Sequence, residues 1–84
     1  MYKNIIKNYA EKLDITEVKE YAKKEGVSIT DYEAETLLNT VKDNIDDILE
    51  GNAEYYMESL KYKVSTPVYE KMLELFNKYK KFID

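Results

Sequence analysis

Apolar residues recur at steps of three and four along nearly the whole chain, and no segment reads as a strand. The longest such run spans residues 30–51, where Ala34, Leu37, Leu38, Val41, Ile45, Ile48 and Leu49 share one stripe. Thr30-Asp31-Tyr32-Glu33 predicts a capping box: the Thr30 hydroxyl accepts from the Glu33 N–H, and the Glu33 carboxylate accepts from the Thr30 N–H. Asp31, Glu33 and Glu35 put negative charge where the helix dipole favours it. Gly51 supplies a residue able to turn left-handed at the far end. The spacing predicts the longest helix of the chain here, with the other segments packed around it.

Those segments read as four shorter helices. Residues 2–13 carry Ile5, Ile6, Tyr9 and Leu13 on one face. Asp14-Ile15-Thr16 breaks that helix, and Thr16 is positioned to cap a second over residues 17–25. Val18, Tyr21 and Ala22 face inward on it, and Gly26 ends it. Val27 and Ile29 are apolar connectors, with Ile29 placed as a hydrophobic staple before the capping box. Residues 53–63 set Tyr56, Met57, Leu60 and Val64 inward. In Ser65-Thr66-Pro67, Thr66 reads as an N-cap and Pro67 as the first helical residue. The final helix runs to about Phe82, with Val68, Met72, Leu75, Phe76, Tyr79 and Phe82 on its stripe and Tyr69 and Leu73 beside it. The expected fold is all-α: a single domain over residues 1–84, built as a compact bundle of four to five short helices around one longer central helix.

The motifs Ile15-Thr16, Tyr21-Ala22-Lys23, Gly26-Val27-Ser28-Ile29-Thr30 and Ala34, with Ser65-Thr66-Pro67 and Leu75-Phe76 downstream, carry a resemblance over nearly the whole chain. It resembles the YqfT-like family, short proteins of low-GC Gram-positive bacteria grouped as a domain of unknown function. The shared motifs cap and pack helices. The resemblance implies an all-α cytoplasmic protein and no activity, and residues 43–55 depart most from the family pattern.

Composition narrows the chemistry more than the motifs do. All thirteen basic residues are lysine, and histidine, arginine and cysteine are absent. There is no imidazole for proton transfer near neutral pH, no guanidinium fork for bidentate phosphate or base recognition, and no thiolate. Ser28, Ser59 and Ser65 lack a histidine to activate them. With two glycines there is no phosphate-cradling loop. These absences argue against catalysis and against a cofactor or small-molecule substrate. No apolar run reaches the ~20 residues of a membrane span, and the absence of cysteine suits a reducing compartment, so the chain reads as soluble and cytoplasmic.

Charge is unevenly spread. Residues 1–30 have six lysines and five acids (+1), residues 31–60 one lysine and nine acids (−8), and residues 61–84 six lysines and three acids (+3). Residues 18–38 trace the outline of a helix-turn-helix, which makes a nucleic-acid-associated regulator an alternative. Its second helix lies in the −8 segment, where phosphates are repelled. An acidic mimic that fills a nucleic-acid-binding groove on another protein is a further alternative. Asp43, Asp46, Asp47, Glu50 and Glu54 invite a divalent-cation reading, but Ile45 and Ile48 fall where a Ca²⁺ loop needs oxygen ligands. A solvated acidic face remains. Among nine tyrosines, Tyr9, Tyr21, Tyr56 and Tyr79 fall on inward stripes, whereas Tyr55, Tyr62 and Tyr69 fall off them or at their edges. With Leu73 those three compose a candidate contact patch of the aromatic kind enriched at interfaces. The expectation is a non-catalytic protein that binds another protein, a second copy included, through Asp43, Asp46, Asp47, Glu50, Glu54, Tyr55, Tyr62, Tyr69 and Leu73.

Overall fold

Helices α1 (Tyr2–Lys12), α2 (Ile15–Lys24), α3 (Asp31–Asp43), α4 (Ile45–Asp47), α5 (Ala53–Leu60) and α6 (Thr66–Ile83) follow one another, with a π-helical turn at Ile48–Asn52 before α5. The computed structural model describes the backbone of residues 2–83 and the side chains of residues 3–78. Among the described residues there is no strand. With α4 counted as a bent continuation of α3, the architecture is the all-α bundle of five helices that the periodicity predicts. Tyr79 and Phe82, expected on the inward stripe of α6, lie outside the described side chains, as do Lys80 and Lys81.

Each helix boundary has a local cause. Asp14 is extended, and its carboxylate accepts from the Glu17 N–H at 2.9 Å, so α2 starts at Ile15 and Asp14 rather than Thr16 is its cap. The carboxylate is the stronger acceptor at a helix start, where the dipole adds to the hydrogen bond. At the other end Gly26 takes φ 74°. The Gly26 N–H then reaches the Lys23 carbonyl at 3.1 Å and the Val27 N–H reaches the Ala22 carbonyl at 2.8 Å, closing a Schellman motif.

The capping box of α3 forms as expected: Glu33 N–H to Thr30 Oγ1 at 3.1 Å, Thr30 N–H to Glu33 Oε1 at 3.0 Å. The long rod predicted over residues 30–51 is in pieces, and the longest helix is α6, with 18 residues against 13 in α3. Thr40 donates its hydroxyl to the Thr36 carbonyl and Asn44 its amide to the Thr40 carbonyl, both at 2.8 Å. These side-chain bonds compete with the backbone ladder and bend the helix where Asn44 leaves helical geometry (φ −127°, ψ 19°). Gly51, at φ 108°, then swings the chain into α5. Ser65 rather than Thr66 stands at the start of α6, since its carbonyl already accepts from the Tyr69 N–H at 2.9 Å. Pro67 therefore sits second in the first turn, where a missing N–H costs nothing.

Among the described residues the buried set is Ala10, Ala22, Ala34, Ala53, Leu38, Ile45, Met57, Leu60 and Val68. Four of these nine are alanine, so the buried positions contribute little side-chain volume. Helix α1 shows the effect. It lies against α3 and α4 through Ala10, with Ile6 and Leu13 half-buried beside it. Ile5 and Tyr9, expected inward, are turned out with 66% and 65% of their surface exposed. The Lys7–Asp46 ion pair (3.0 Å) between α1 and α4 holds the same rotation. Val68, Met72 and Leu75 of α6 meet Val18, Ala22, Val27, Ile29 and Leu37 around an apolar crevice of about 120 Å³.

One carboxylate ties the two halves of this core together. While Glu33 Oε1 caps α3, Oε2 accepts from the Ser65 N–H at 2.6 Å, 32 residues away and at the entrance to α6. These bonds, that to Ser65 first and that to Thr30 second, hold the Glu33 carboxyl below the ordinary carboxylate range. A carboxyl with a lower pKa folded than unfolded adds stability above its unfolded value, near ~4.3, and loses it as pH falls through the folded value. Replacing Glu33→Gln is expected to cost about 1–2 kcal/mol in urea denaturation at pH 7. The gap from the parent chain should begin to narrow at about pH 4 and close once pH falls below the lowered folded value.

Candidate interaction surface

From α4 to α5 the chain is acidic by sequence: residues 43–60 contain six acids and no basic residue. The fold divides these acids into three groups. Asp43, Asp46 and Asp47 border one depression of about 360 Å³ together with Lys7 and Lys42, so two cations from outside the run sit among them. The Lys7 amine bonds Asp46, and this contact raises the Lys7 pKa above its usual value.

Asp47 points back into its own turn. It accepts from the Asn52 amide at 2.6 Å and from the Tyr56 hydroxyl. The Tyr56 bond first, and the Asn52 bond second, lower the Asp47 pKa, and the same contact raises that of the Tyr56 phenol. Asp47 thus braces the π-helical turn through these two bonds. Its partners are five and nine residues downstream, across the bend at Gly51, so a straight-helix reading placed it on the outer face.

The third group faces outward. Glu50, Glu54 and Glu58 are exposed. Glu54 and Glu58 are one turn apart on α5, in register with Tyr55 (72% exposed), which stacks edge-on against Tyr56 at 5.1 Å between ring centroids. Tyr62 projects from the turn after α5 with 88% of its surface exposed, and the Lys61 ammonium lies 5.8 Å from its ring. Tyr69 and Leu73 are half-buried, one turn apart on α6, and so contribute less exposed surface than expected. The four-residue step from Glu54 was the available signal for Glu58.

The helix-turn-helix outline is realised by α2, the Schellman turn and α3. The outward positions of α3 are Asp31, Tyr32, Glu35, Asn39 and Asp43, with no cation among them, and Asp31 is paired with Lys19 of α2 at 2.5 Å. Phosphates meet repulsion there rather than donors. Among the described residues no group of three or more carboxylates is gathered closely enough to hold a metal ion, and no helix is long and apolar enough to cross a membrane.

No family model, no curated protein and no solved structure matches the chain. The resemblance to the YqfT-like family therefore rests on its motifs alone.

If the Tyr56 hydroxyl is what depresses the Asp47 carboxyl, Tyr56→Phe should move the Asp47 titration, followed by carboxyl NMR, upward toward the ordinary aspartate value. Tyr55→Phe should leave it in place.

Proposed function

We propose that this chain is a non-catalytic binding protein that docks a basic surface of another protein on its α5 face. The observation that carries the reading is the juxtaposition on and beside α5 of two highly exposed tyrosines, Tyr55 and Tyr62, with the outward carboxylates Glu50, Glu54 and Glu58. Aromatic rings offer contact area at small entropic cost, and tyrosine is among the residues enriched in binding hot spots. The carboxylates supply sign and steering: they attract lysine- or arginine-rich surfaces and reject acidic ones. Cationic side chains also stack favourably on tyrosine rings.

The absence of histidine and cysteine weighs on the same side, since proton transfer and nucleophilic attack lack their usual groups. We place the protein in the cytoplasm on its lack of cysteine. A nucleic-acid ligand is disfavoured by the outward residues of α3.

The test is affinity capture from cell extract with the folded chain as bait, at low and high salt. A basic protein should be retained at low salt and released as salt screens the carboxylates. Tyr55→Ala and Tyr62→Ala should each weaken the purified complex about thirty-fold, as a hot-spot contact of about 2 kcal/mol requires. Changing Glu50, Glu54 and Glu58 together to Gln should slow association and flatten the salt dependence. Capture that survives all of these changes sinks the reading.

A further inference from the structure

A second surface is built on α1 and α2. Ile5 and Tyr9 stand out from α1, and Tyr21 from α2 is 41% exposed. Tyr9 and Tyr21, with Leu13, Val18 and Leu75, line one largely apolar depression of about 450 Å³. Its polar rim is ordered along α2: Glu17 and Glu20 come first and Lys24 comes last. That order is self-complementary. In a two-fold contact each residue pair occurs twice with the roles exchanged. Two α2 helices meeting antiparallel therefore set the acids of each copy against the Lys24 of the other, and their opposed dipoles agree with the pairing.

The rest of the molecule favours a second copy in this place. Residues 1–30 carry +1, so two copies meet there without the repulsion that residues 31–60, at −8, impose on each other. The described residues also form little core: among them four of nine buried apolar residues are alanine, and no large side chain is completely buried. Small helical domains with so little buried volume commonly gain stability by association.

We propose that the α1–α2 face docks a second copy of this chain in an antiparallel two-fold dimer, with Tyr9 and Ile5 in the apolar centre and Glu20 paired to the partner copy's Lys24. The proposal is independent of the reading of α5, because it concerns different residues and a different partner.

Sedimentation equilibrium over a range of concentrations tests it. The parent chain should approach twice the 10.0 kDa of one copy. Tyr9→Glu and Ile5→Glu, at exposed positions, should return the mass to one copy with helicity unchanged by circular dichroism. Lys24→Glu should weaken the dimer about ten-fold, and adding Glu20→Lys to it should restore the dimer, since the exchanged charges pair again. This charge-swap arm decides the matter should either glutamate variant on α1 lose helicity. A single-copy mass at every concentration overturns the proposal. So does a dimer that neither Tyr9→Glu nor Lys24→Glu weakens.

Discussion

Two helix starts, at Thr30 and at Ser65, share the carboxylate of Glu33. Each start leaves backbone N–H groups without intrahelical partners, and each presents the positive end of a dipole. A single anion between them satisfies a donor at both and is held ionised by both. The position of α6 follows from this bond. With Ser65 fixed beside Glu33, Val68 falls one turn later into the crevice formed by Ala22, Val27, Ile29 and Leu37. The half-buried Lys71 completes the attachment by pairing with Glu25 at the end of α2, at 3.6 Å. The Schellman turn at Gly26 matters for the same reason, because it delivers Val27 and Ile29 to the wall that receives α6.

Much of this was legible in the residues themselves. The capping box, the stop at Gly26 and the helix start around Ser65 are short-range signals, in which a side chain and its target lie within a few positions. Such signals predict their elements well because the chemistry is local. Misplacements arose where a rule of size or straightness stood in for packing. The stripe through residues 30–51 has the right period, but the Thr36–Thr40–Asn44 ladder bends it, and side chains that bond backward to the backbone leave no mark on hydrophobic spacing. Helix α1 was oriented by its largest apolar residues. Its one buried position among the described residues is Ala10, the smallest apolar residue it carries.

The acidic surface was legible as a count and illegible as a geometry. An excess of carboxylates between residues 43 and 60 is plain, yet their places diverge: Asp46 pairs across to α1, Asp47 braces a turn, and Glu50, Glu54 and Glu58 lie at exposed positions. The lysine that pairs with Asp46 lies 39 residues earlier, and no periodicity connects them. Tyr55 and Tyr62 were separable from the core tyrosines because being off the stripe is again a local property. Tyr9 and Tyr21 were not, since their exposure depends on how far α1 and α2 have rotated.

Alanine in the buried set has a bearing on how such a chain can drift through evolution. A leucine or methionine in a thin core tolerates a swap for another side chain of like bulk, because its neighbours have room to adjust. The buried Ala10, Ala22, Ala34 and Ala53 have less latitude: a larger residue must displace its packed neighbours, and glycine loosens the helix that carries it. Distant descendants of this architecture should therefore be recognised by four small residues in fixed register, while the conspicuous hydrophobic ones are exchanged around them.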